Sequence, residues 1–169
     1  MPQIITTYMP LGSPGDLTRD VRECTIEAYW QNVALPVGGY GLPVKLGAVA
    51  MSVSPIVGGD AATSIIGLLV RENPAQGGAT INQAMGAGTP PLSGALGILK
   101  KGYMCVKVGT GSVPVKEGMV YVRVAAAAAG KPIGGIEAAA DSTNTIILTG
   151  AQFMGPADAD GNAEIRYNV

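Results

Sequence analysis

Histidine is absent from the 169 residues of this chain. Its absence removes the commonest general base, the Ser/His and Cys/His nucleophile pairs and the commonest zinc ligand. Charge is scarce as well: Asp, Glu, Lys and Arg make up 14% of the residues, against about 25% in an ordinary soluble domain. With 11 basic and 12 acidic side chains the net charge is −1, and no basic run reaches five residues. Binding phosphates needs a concentrated positive surface, so nucleic acid is not expected as a direct partner. The two cysteines, Cys24 and Cys105, are too few for a disulfide framework. Set in hydrophobic alternating segments, they read as buried free thiols. The opening Met-Pro-Gln-Ile-Ile-Thr-Thr-Tyr lacks the basic-then-apolar pattern of a secretory signal, which fits synthesis in a reducing cytoplasm. Residues 73–99 carry no charge, yet they are filled with Gly, Pro, Thr, Asn and Gln. A membrane span needs about 20 predominantly apolar residues, so this stretch reads as a loop or arm, and no membrane partner is expected.

What is present in excess is glycine, 25 residues, roughly twice the usual share. Hydrophobic residues make up 47%, enough for a chain of this length to bury a core without metal or disulfide. A soluble monomer with so little charge would tend to self-associate, which suggests that other protein covers part of the surface. Period-two alternation is the dominant pattern. Ala163, Ile165, Tyr167 and Val169 alternate with polar residues, and Val120, Val122 and Val124 alternate with Met119, Tyr121 and Arg123, which are expected to face solvent. Met104, Val106 and Val108 repeat the pattern, as do Val49, Met51 and Val53. Residues 64–71 form an apolar run interrupted by Gly67, and residues 145–149 are almost wholly β-branched. Glycine-rich turn signals separate these runs. The fold class expected is all-β, a small barrel-like or sandwich body with Gly-rich turns, an N-terminal arm and one long uncharged insert. The expected organisation is an arm with a first strand or helix over 1–34 and a single β domain over 35–169, with the insert at about 73–99. Residues 16–30 stay open between helix and strand, and 125–129 read as a solvent-side turn or one helical turn.

No arrangement of residues supports catalysis. Asp158-Ala-Asp160-Gly161-Asn162 begins like a calcium loop, but Ala163 and Val169 stand where glycine and glutamate are required. A hairpin turn explains it better. Gly130-Lys131 is followed by Pro132 and lacks the first glycine of a phosphate loop, because Ala125 stands there. The acids are dispersed; Glu23 with Glu27 and Asp158 with Asp160 are the close pairs, and clustering of these four around one pocket would be needed for a hydrolase or ligand-binding barrel. No enzyme, cofactor or metal is therefore expected. Tyr29 and Trp30 read as core or interface anchors, and they are the candidate partner contacts.

The order of segments carries more than any one of them. Gly41-Leu-Pro-Val-Lys-Leu-Gly-Ala-Val, Ile65-Ile-Gly-Leu-Leu-Val-Arg, Gly102-Tyr-Met-Cys-Val-Lys-Val, Gly118-Met-Val-Tyr-Val-Arg-Val, Ala129-Gly-Lys-Pro-Ile and Gly161-Asn-Ala-Glu-Ile-Arg follow one another. This succession resembles the structural cement, or decoration, proteins of tailed bacteriophage capsids, over roughly residues 35–169, with Pro14-Gly15-Asp16 also similar to that family's N-terminal region. The resemblance implies a non-enzymatic virion protein on the outer capsid surface that bridges neighbouring major capsid proteins. It implies a homo-oligomer, a trimer ahead of a dimer. A head-completion or tail protein is the alternative within the same structural class.

Overall fold

The computed structural model describes residues 11–71 and 89–169. The expected insert is therefore described only beyond residue 88, and residues 1–10 of the expected arm lie outside the description. Nine strands are described: β1 (Thr25–Gln31), β2 (Pro43–Leu46), β3 (Ser52–Pro55), β4 (Ile65–Leu69), β5 (Ala95–Lys107), β6 (Met119–Arg123), β7 (Ile136–Glu137), β8 (Thr145–Phe153) and β9 (Asn162–Tyr167). The helical elements described are three short 3-10 turns. The architecture is all-β, as the alternation predicts.

β5, 13 residues long, organises the chain by serving two sheets in succession. Its first half pairs with β1 on one edge and β4 on the other, and the ladder β1–β3–β2–β4–β5–β1 closes into a five-stranded barrel. Its second half pairs with β9, which continues through β8 and β6 to β7. A bridge between Val108 and Ile136 returns that second sheet to the end of β5. Closure leaves few free strand edges.

Two cores follow from this plan. Val37, Val44, Val53, Leu69, Leu96 and Ile98 fill the barrel. Leu68 and Leu99, the immediate neighbours of Leu69 and Ile98, point from the barrel's outer wall into the larger second core, with Met104, Val106, Val122, Leu148, Phe153 and Ile165. Successive side chains of a strand face opposite ways, so a strand between two cores must be apolar at consecutive positions. That requirement explains why residues 95–99 carry no charge. They are the first half of β5, not the end of a loop, which corrects the expected insert boundary. Residues 25–31 are likewise built into the barrel wall as β1 and do not belong to an arm.

Alternation misleads at two other places. Val49 and Met51 lie in the exposed β2–β3 turn, where Met51 takes φ +57°, so the expected strand begins only at Ser52. Arg123, expected to face solvent, is buried against Glu137. Cys105 is buried and free, as expected, and residues 15–18 run along β5 beside it: Gly15 N–H donates to the Cys105 carbonyl at 2.8 Å and Cys105 N–H to that of Asp16 at 2.9 Å. Cys24 is half-buried and free. Asp16 closes a turn by accepting from Ser13 N–H at 2.8 Å and caps no helix. The expected hairpin turn between β8 and β9 is present, with Asp158 Oδ1 accepting from the backbone of Asp160 and Asn162.

Gly102 is where β5 passes from one sheet to the other. Its φ of +141° suits glycine, and a Cβ there would stand 2.6 Å from Cys24 Sγ. Gly102→Ala is expected to destabilise the fold by about 1–3 kcal/mol, from backbone strain together with overpacking. Gly58 has ordinary φ, and a Cβ there would make only an ordinary contact with the Val124 carbonyl at 3.6 Å, so Gly58→Ala should stay within about 0.5 kcal/mol of the parent. Denaturant titration of both variants checks the contrast.

Candidate contact surface

β1 differs from every other barrel strand in being exposed almost throughout, with only Gln31 buried. Its register explains which side chains face out. Tyr29 lies opposite Leu96 and packs with the barrel core, while Ile26, Ala28 and Trp30 lie opposite Leu99, Gly97 and Ala95 on the outer face. Trp30 is 60% exposed. The sequence thus named two neighbours with opposite fates. Tyr29 is a wall residue, its hydroxyl donating to Glu27 Oε2 at 2.8 Å and Lys100 Nζ lying 4.8 Å from its ring centroid. Trp30 is presented outward.

Further apolar side chains gather around this end of the barrel. Trp30 N–H donates to the Met51 carbonyl at 2.7 Å, which sets the β2–β3 turn beside β1. That turn exposes Leu46, Val49 and Met51, and Val33 and Leu35 are exposed just after β1. Sequence reasoning missed Leu46, Val49 and Met51 as surface residues because it placed two of them in a strand core. Large apolar groups left in water mark protein–protein contact when they collect in one region.

The charged residues are organised for structure. Arg123 is 2% exposed and uses all its donors: Nε and Nη2 to Glu137, Nη2 also to Asp141 at 2.7 Å, and Nη1 to the carbonyls of Ala125 and Ala126. Lys131 Nζ stands 3.0 Å from Glu137 Oε2. Burial alone would push the Glu137 carboxyl upward, but the hydrogen bonds from Arg123 and Lys131 outweigh it and hold Glu137 below its ordinary value. The cluster ties the exposed 125–129 turn to β6 and β7. Elsewhere Glu164 accepts from Thr18 at 2.6 Å and pairs with Arg19, pinning the N-terminal segment to β9. The two sequence-adjacent acid pairs do not converge. Glu27 sits opposite Ile98 in the first half of β5, and Asp160 is bonded to Lys107 at its other end. Burial, with the fields of Asp158, Asp16 and Glu164, pushes the Cys105 thiol up to about 12, so it is a packing group and no nucleophile. Among the described residues no group of three or more Cys, Asp or Glu could hold a metal, and no helix is long and apolar enough to cross a membrane.

The all-β body with its outward apolar strand can be set against known families. Residues 1–167 match the model of the XM1 gp53 minor capsid protein family. The chain belongs to that family. It is a phage minor capsid structural protein, and its place is the virion. It is also similar to a chain in the solved capsid of Myoviridae phage XM1, with 16% identity and a TM-score of 0.65 over 98% of this chain and 96% of that one. At this identity the likeness is one of fold. No curated protein matches this chain.

The Arg123–Glu137 pair generates a pH dependence. A carboxyl held below its unfolded value contributes stability that is fully present above the ordinary range near 4.5 and is lost as pH falls through the lower folded value. Unfolding free energy should therefore drop on acidification below that range. Glu137→Gln should cost about 1–3 kcal/mol near neutrality, because Arg123 loses its buried counter-charge while keeping Asp141 and the Ala125 and Ala126 carbonyls, and should flatten the acid limb. Urea melts of both proteins across acidic pH test this.

Proposed function

We propose that this minor capsid protein is a cement protein, bound to the outer surface of the shell and bridging neighbouring major capsid proteins. It would act as a homo-oligomer, with a trimer ahead of a dimer. The observation that carries the reading is the outer face of β1, where Ile26, Ala28 and Trp30 are exposed in a strand whose neighbours are buried. Trp30 is the residue type that dominates binding energy when it seats in a partner's pocket.

Two further points favour the outside of the shell and a structural role. The inner surface faces packaged DNA, and a chain of net charge −1 without a basic cluster has nothing to offer phosphates there. The charged clusters are internally paired, as bridging requires no chemistry. Modest contacts at several sites reinforce one another when a single body engages them together.

The test is co-sedimentation with purified shells that lack this protein. Trp30→Ala is expected to weaken binding by about 2 kcal/mol, roughly thirtyfold in Kd, with thermal stability nearly unchanged. Because the contact is apolar, binding should vary little between low and high salt. Undiminished binding of Trp30→Ala overturns the assignment of β1 as the contact. Binding confined to one vertex or to tails would favour a head-completion or tail component.

A further inference from the structure

The second sheet carries an apolar face of its own, on different strands from the face of β1. Val120 and Val122 of β6 point into the core, so Met119 and Tyr121 lie on the opposite face of that strand. Tyr121 stands opposite Ile147 of β8, and its hydroxyl donates to Met119 Sδ at 3.7 Å. Met119 and Ile147 are exposed and Tyr121 is half-buried. The loop from β5 to β6 skirts β7, with Gly109 N–H donating to the Ile136 carbonyl at 2.7 Å and Ala138 N–H to Ser112 Oγ at 3.2 Å. It enters β6 through a turn closed by Gly118 N–H on the Val115 carbonyl at 2.9 Å, and it leaves Val113 and Val115 in water. Apolar groups from two paired strands and the adjoining turn thus collect in one region. At the turn stand Lys116 and Glu117, both exposed, and neither forms an ion pair among the described residues. The charges of β6 and β7 and the segments beside them are already matched, Arg123 with Glu137 and Asp141, and Lys131 with Glu137.

We propose that this face is the contact between two copies of the chain, related by a two-fold axis beside the 115–118 turn. In a two-fold contact a residue that meets a second one is met by it in return. Lys116 of each copy then faces Glu117 of the other, and the apolar groups of the two turns and of β6 and β8 cover one another. A partner of different sequence would have to supply an acid and a base in matching places, whereas a second copy supplies both by symmetry. The net charge of −1 puts no barrier between copies. A two-fold closes on itself as a dimer, which moves that assembly ahead of the trimer. The dimer leaves the outer face of β1 free on each copy, so one body presents two Trp30 faces, as bridging two neighbours requires.

This inference rests on the reading of the chain as a homo-oligomer but not on what β1 binds, and it is tested on the full chain alone in solution. Lys116→Glu places two acids at the turn and Glu117→Lys two bases, so each variant alone meets like charge across the axis. Each should weaken the dimer roughly tenfold in low salt and shift it toward the 17.0 kDa monomer in sedimentation velocity. Mixing the two variants restores opposite charges across the axis and should give a heterodimer about as tight as the parent, a recovery that a folding defect would not produce. That preference should fade in high salt. Ile147→Gln removes apolar contact without adding charge and should weaken the dimer at both salt concentrations, while Trp30→Ala should leave it intact. A parent chain that is monomeric or trimeric, single variants that dimerise like the parent, a mixture that fails to pair, or an oligomer dissolved by Trp30→Ala but not by Ile147→Gln would overturn the proposal.

Discussion

The structure depends on one strand that has to be buried on both faces. β5 is a wall of the barrel through its first half and a member of the second sheet through its second half, with Gly102 as the point of transfer. Leu96 and Ile98 fill one core while Leu99, Met104 and Val106 fill the other. Two small cores sharing a wall need less apolar volume each than two separate domains would, and the shared wall fixes how the sheets sit on one another. The short strands β2, β3 and β7 become stable only because they complete ladders that β5 anchors.

Such a plan puts unusual demands on the rest of the sequence. Where elements turn sharply, glycine and positive φ values recur, which accounts for much of the glycine excess. Charge is expelled from both cores except at Arg123 and Glu137, which pair with each other, and the Arg123 donors are all matched. The charge that remains works in pairs, Arg19 with Glu164 and Lys45 with Asp60, each tying a loop or terminal segment to the body. What is left over is an outer strand whose apolar groups, Ile26 and Trp30, stay largely exposed. Low charge therefore follows from the burial of strands between two cores.

The strands of the second sheet were the most legible in the sequence, because Ile165, Tyr167, Val120 and Val122 have one buried face and alternate cleanly. The barrel was harder to read. Leu68-Leu69 and Ile98-Leu99 serve opposite cores, and a run that is apolar at every position has no period. Arg123 was misplaced for a different reason: Glu137, which covers it, comes from a separate strand. The candidate contact surface was half legible. Tyr29 and Trp30 stood out by residue type, but only the register against Leu96 and Ala95 shows which of them faces outward. Val49 and Met51 imitate a strand, and only the left-handed backbone at Met51 places them in a turn.

The central claim is that the outer face of β1 is covered when this protein is in place on the shell. A cryo-electron microscopy map of the purified particle, with the copies of this chain counted and Trp30 located, tests it most directly. The account predicts copies repeated over the outer lattice, with Trp30 seated against another protein chain. Copies restricted to a vertex or tail, or a Trp30 ring facing open solvent on the assembled particle, would contradict it.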